Sequence, residues 1–172
     1  MNILAYSQLN VIKYCARECK RQHSGEESVY DMVNAWNYTQ IWWDTPLIPS
    51  MIARIGRLVE PQDNRNGFRK IPVYVGNISL GYIEKAPWER VPELLKLLLE
   101  DYYDPDLDWM NERMPPSHEL SKTREDQFYF DFENIHPFVD GNGRVGKILY
   151  NYLCGTLENP ILPPNFWGSS NL

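Results

Sequence analysis

Apolar residues recur at helical intervals in six stretches of the chain and alternate in one. From Gln8 to Gln22, the residues Leu9, Ile12, Ala16 and Cys19 form one stripe. Ser24 to Glu27 has capping-box spacing and precedes Val29, Met32, Val33 and Trp36, a second helix. Pro46 and Pro49 interrupt the chain, after which Ser50 is placed to cap a third helix carrying Met51, Ile55, Leu58 and Val59. Residues 61 to 68 read as a turn-rich loop. Ile71, Val73 and Val75 then alternate, as do Ile78, Leu80 and Tyr82, which predicts a β-hairpin over 70 to 83 turning at Gly76-Asn77. Pro92 suits a helix start, and Leu94, Leu95, Leu98, Leu99 and Tyr102 give that helix its apolar face. Residues 103 to 120 read as a long loop. Thr123 to Asp126 is another capping box, opening a helix through Phe128, Phe132 and Ile135 that Pro137 ends. A last helix is expected from about Arg144 to Leu157, followed by Pro160, Pro163 and Pro164. The predicted class is mainly α with one small hairpin.

Composition narrows the function. The length of 172 residues suits one domain, and 43% hydrophobic with 13% aromatic residues is enough for a packed core. The net charge of −6 argues against a nucleic-acid binder, which needs a basic face, yet leaves room for one bound nucleotide. No apolar run approaches the ~20 residues of a membrane span, and the N-terminus lacks the pattern of a signal peptide. Three cysteines make no disulfide framework, so a reducing compartment is expected: the cytoplasm, or a host cytosol for a delivered protein.

The chemistry concentrates in residues 136 to 147, a short loop between two helices. It holds His136, the acid Asp140, Gly141 and Gly143 around Asn142, and the cations Arg144 and Lys147 at the start of the next helix. Glycines let backbone N–H groups turn towards an anion, and a helix N-terminus adds free N–H groups and a favourable dipole. Arg144 and Lys147 stand one turn apart and can face the same way. Asp140 is an oxygen ligand of the kind Mg²⁺ takes together with phosphate oxygens. The segment therefore suits a phosphate chain.

The same segment resembles the signature of the Fic family, HxFx(D/E)GNGRxxR. Seven of its eight specified positions match: His136, Phe138, Asp140, Gly141, Asn142, Gly143 and Arg144. The helices on either side and the upstream hairpin agree with that family, so the resemblance covers residues ~50 to 158 of a single Fic-like domain. It implies a helical bundle with a β-hairpin flap, and a protein adenylyltransferase that moves AMP from ATP to a Ser, Thr or Tyr hydroxyl. In that scheme His136 is the general base and Asp140 the Mg²⁺ ligand. Asn142 bonds the α-phosphate, Gly141 and Gly143 build the anion hole, Arg144 holds the β-phosphate and Phe138 anchors the loop. The flap residues Val73, Val75, Gly76 and Asn77 would hold a target segment as an added strand. The eighth position is Lys147 where the family has arginine: the charge that meets the γ-phosphate stays and the bidentate fork is lost.

The family's inhibitory motif, (S/T)xxxE(G/N), has no full match. Ser121 to Glu125 is followed by Asp126, and Glu158-Asn159 is preceded by Cys154. The chain is therefore expected to be uninhibited, or inhibited by a separate partner in the manner of a toxin and its antitoxin. A Fic scaffold that binds a nucleotide or partner without turnover is a further class, as is another nucleotide donor.

Other patterns carry less. Gly141 to Lys147 fits GxxxxGK, but Ile148 replaces the hydroxyl residue of a P-loop. Asp104, Asp106 and Asp108 open like a calcium loop, but Trp109 and Pro115 stand where glycine and glutamate are required. Cys15, Cys19 and His23 share a helix face without a fourth zinc ligand, and read as buried cysteines plus a surface histidine. Arg17, Lys20 and Arg21 read as a solvated basic face, and Trp42, Trp43, Trp88, Trp109 and Trp167 as core or groove residues.

Overall fold

The structure, a computed structural model, describes residues 3–77, 81–104, 106 and 122–166. Among these residues the order is α1 (Ile3–Arg21), α2 (Glu27–Ile41), α3 (Pro49–Val59), β1 (Tyr74–Asn77), β2 (Gly81–Glu84), a 3-10 turn (Trp88–Arg90), α4 (Val91–Tyr103), α5 (Arg124–Ile135) and α6 (Asn142–Leu153). The fold is helical with one two-stranded antiparallel sheet. Most of the loop read at 103 to 120, together with Ser121, Trp167 and the side chain of Asn77, lies outside the described residues.

α2 packs against α1, α3 and α6, and α5 bridges α4 and α6. Their shared core buries Trp36, Ile52, Ile55, Leu95, Phe128, Phe132, Ile148 and Leu149. The Trp36 indole stays satisfied there by donating to the Leu157 carbonyl at 2.9 Å. A smaller cluster of Tyr129, Tyr150 and Phe166 sits on the other side of α5 and α6.

Helix ends account for most differences from the sequence reading. α1 buries Val11, Tyr14, Cys15, Glu18 and Cys19, a stripe rotated from the expected one: Leu9 and Ile12 are half exposed and Ala16 faces solvent. Ser24 does not cap α2. Its N–H bonds the Cys19 carbonyl at 2.9 Å, and the His23 N–H bonds that of Lys20, so Ser24 is used to end α1. α3 begins on Pro49, whose fixed φ and missing N–H suit the first turn, so Ser50 lies inside the helix. The capping box of α5 forms as expected: Asp126 N–H donates to the Thr123 side chain, and the Asp126 carboxylate accepts from Thr123 N–H. α6 stops at Leu153, short of Leu157, because Gly155 turns left-handed and Thr156 N–H returns to the Asn151 carbonyl. Asn151 then clamps the proline-rich tail, donating to Ile161 O at 3.0 Å and accepting from Ile161 N at 2.7 Å.

The hairpin register pairs Gly76 with Tyr82 and Asn77 with Gly81. Gly76-Asn77 is therefore strand where a turn was expected, and Ile78 and Leu80 lie outside the described residues. Val73 precedes β1, where its carbonyl accepts from Lys85 N–H at 3.0 Å. Neither face is buried: Tyr82 is 62% and Ile83 69% exposed. Trp42 and Trp43 are also exposed, at the end of α2, and do not join the core. Among the described residues no helix is long and apolar enough to cross a membrane.

Candidate active site

α5 delivers His136. The helix stops at Ile135 because Pro137 cannot continue it, and His136 takes a left-handed turn with φ 53°. Its Nδ1 lies 3.2 Å from the Glu133 carbonyl oxygen. A carbonyl can only accept, so Nδ1 carries the proton and Nε2 keeps its lone pair. Burial, with the nearby charges of Lys85 and Arg69, pushes the imidazole down to about 4. An ordinary histidine titrates near 6.5. The folded protein instead keeps His136 neutral well into the acid range.

The loop after His136 is fixed from several sides. Phe138 is fully buried, with its ring against Gly56 of α3 and 5.6 Å from that of Phe68. The Asn142 side chain is anchored locally: Oδ1 accepts from Phe138 N–H and Nδ2 donates to Phe138 O, both at 2.9 Å. These two bonds fix the carboxamide and leave its second Nδ2–H, the donor that the resemblance directs at an α-phosphate. Asn64, which the sequence did not single out, donates to the Asp140 carbonyl at 2.9 Å.

α6 opens on Gly141 at φ 76°, and no side chain caps it. Its first N–H groups thus lack intrahelical partners and point into the loop. The Gln22 carboxamide lies over Gly143, and among the described residues its Nε2 is a buried donor without a hydrogen-bond partner, as is Nε of Arg144. Donors left without acceptors around a bare helix N-terminus suit an anion. The Asp140 side chain is 64% exposed, with Oδ1 accepting from Gly141 N–H and Oδ2 3.8 Å from Arg144. One exposed carboxylate beside an anion site fits a Mg²⁺ ion that arrives with phosphate oxygens and water. Among the described residues no cluster of three or more ligating side chains could cage a metal without such a partner.

Both cations of the loop are held by acids of the same chain. Arg144 is 2% exposed; its Nη2 lies 3.0 Å from Glu60 and its Nη1 donates to Val59 O. Lys147 is 6% exposed, and its Nζ lies 3.0 Å from Glu18 of α1. Arg21 reaches the same Glu18 oxygen at 3.0 Å, so this part of the basic stretch is not merely solvated. Glu133 lies over Gly146 with Oε1 buried and, among the described residues, unpartnered, and burial pushes its carboxyl up to about 7. His136, Asp140, Gly141, Gly143 and Arg144 therefore gather at one loop, whereas the Lys147 side chain turns towards α1.

Sequence reasoning missed Glu18, Glu60, Asn64 and Arg69. Glu18 alone left a readable signal. It follows Val11, Tyr14 and Cys15 at helical spacing, so it had to face inwards. It stands four residues after Tyr14 and just before Cys19, keeping the glutamate of the inhibitory pattern without either flank.

Comparison with known proteins places the chain by family and fold. The sequence profile of the Fic/DOC family matches residues 49–154. A Fic-family protein from Desulfovibrio desulfuricans superposes with TM-score 0.59 at 17% identity, over 90% of this chain and 50% of that one. A Fic-domain-containing signalling protein from Bacteroides thetaiotaomicron gives 0.54 at 21% identity, over 76% of this chain and 49% of that one. A probable protein adenylyltransferase of Aquifex aeolicus is 57% identical over 35 residues, 20% of this chain and 10% of that protein. The chain thus spans about half the length of the two solved structures and a tenth of the Aquifex protein.

Proposed function

The chain belongs to the Fic/DOC family, and from that premise we propose that it transfers AMP from ATP to a Ser, Thr or Tyr hydroxyl of a target protein. The target oxygen attacks the α-phosphorus, the bond to the β-phosphate oxygen breaks, pyrophosphate leaves, and the hydroxyl proton passes to His136. The observation that carries the reading is the pairing, on one loop, of a histidine whose Nδ1 faces a carbonyl, leaving the lone pair on Nε2, and a helix N-terminus with no side-chain cap beside donors unpartnered among the described residues. A neutral base and an anion cradle are what such a transfer asks of the protein. Asp140 would hold Mg²⁺, which supplies charge neutralisation along the phosphates when bound. The exposed hairpin edge supports docking of an extended target segment as an added strand. Glu18 withholds Lys147 from a terminal phosphate, which favours restraint from within the chain over a separate inhibitory partner.

Transfer of label from ATP labelled at the α-phosphate, with Mg²⁺ and a cell lysate, tests this. Native protein should label a target and His136→Ala should not. Nucleotide binding without transfer, from any nucleoside triphosphate, would replace the reading with a binding scaffold, for which the engaged state of Arg144 and Lys147 already speaks.

A further inference from the structure

Arg69 lies between the turn-rich loop and the hairpin and is 3% exposed. Among the described residues it forms no ion pair with a carboxylate. Its hydrogen bonds go to carbonyl oxygens instead. Nε donates to His136 O at 2.7 Å and Nη2 to Ile135 O at 3.2 Å. Nη1 donates to Ile71 O at 3.0 Å, and Nη2 also to Ala86 O. Its own backbone N–H reaches Pro137 O at 2.9 Å. One guanidinium therefore joins the end of α5, on either side of the His136 peptide, to both roots of the hairpin, since Ile71 precedes β1 and Ala86 follows β2.

We propose that Arg69 is a positioning residue that sets the hairpin and the His136 backbone as one unit, so that a target segment docked on the hairpin is held in register with the imidazole. The functional half of this rests on the transferase reading; the mechanical half does not. Several physical points support it. The last carbonyls of a helix lack intrahelical partners, and a cation there is favoured. His136 holds a left-handed φ that a residue with a side chain adopts at a cost, and three consecutive carbonyls around it are fixed by Arg69. A two-stranded hairpin is marginal alone, and this one buries neither face, so the anchoring at its roots decides its direction. Only a planar fork serves four carbonyls at once; a lysine ammonium has three donors and no fixed plane.

Amide hydrogen exchange without nucleotide tests the mechanical half, comparing native protein with Arg69→Met, Arg69→Lys and, as a destabilised control, the core change Ile52→Val. The amides of Lys85, on the last rung of the hairpin, and His136 should both exchange about tenfold faster in Arg69→Met and less so in Arg69→Lys. Ile52→Val should show no such paired acceleration. Should Arg69→Met not fold, Arg69→Lys carries the comparison. Acceleration of one amide without the other, of neither, or of the whole core to the extent Ile52→Val produces, would overturn the proposal. In the transfer assay the target KM should rise in Arg69→Lys while nucleotide affinity stays within about twofold; an unchanged target KM would overturn the register claim. Absence of transfer by native protein would fail the transferase reading alone, leaving the exchange result to decide the anchoring.

Discussion

Glu18 and Lys147 are both almost fully buried, 3.0 Å apart, with Arg21 on the same carboxylate oxygen. Removing one partner of such a pair leaves a buried charge unmatched, typically a loss of ~3–5 kcal/mol. Glu18→Gln should therefore melt earlier without nucleotide, bind a nucleoside triphosphate more tightly because Lys147 is released, and label targets faster. Calorimetric binding and the transfer assay check this; unchanged or weaker affinity would show that Lys147 is structural. His136 makes a second prediction at this scale. A general base must be unprotonated, and its imidazole sits at about 4 in the folded protein. The acid limb of kcat/KM, which reports the free enzyme, should fall well below the ordinary histidine range near 6.5, with activity lost only as pH drops towards 4. An acid limb at 6 to 7 would contradict the buried environment described above.

At the scale of elements, α3 and α5 position the loop by close approach. A Cβ at Gly56 would overlap the Phe138 ring. Gly56→Ala improves helix propensity in α3 yet should destabilise by about 1–3 kcal/mol, because Phe138 must leave its seat and take the loop with it. Chemical denaturation measures the loss, and stability at or above native would mean the ring has room. The start of α5 was readable because a capping box is local: Thr123 and Asp126 recognise each other within one turn. The Ser24 to Glu27 pattern failed because the end of α1 claimed Ser24 first, which spacing alone does not reveal. The hairpin was legible as two alternating runs, but its register depends on where the strands pair, and that made Gly76 and Asn77 strand where a turn was expected.

For the molecule as a whole, Glu133 links folding to pH. Burial dominates its environment, and Lys147, Lys85 and Arg21 only partly offset it, so its carboxyl rises to about 7 from 4.5. A carboxyl raised on folding contributes stability that is full below about 4.5 and is lost as pH rises through 7. The loss is on the order of 3 kcal/mol at most. Unfolding midpoints followed from pH 5 to 8 should show the decline, and Glu133→Gln should flatten it. A parallel decline in the variant would place the pH dependence elsewhere.

The sequence by itself determined the helical class, the hairpin, the family and the loop from His136 to Arg144. Each is written in short-range form: periodicity within one helix, or a motif in consecutive residues whose backbone needs allow few substitutes. The tertiary structure alone decided the state of that loop. Arg144 meets Glu60 across 84 positions of chain, Arg69 meets His136 across 67, and Lys147 meets Glu18 across more than either. Such contacts depend on how helices pack, and packing turned α1 so that an acid, where an apolar stripe was expected, faces the cation of the site.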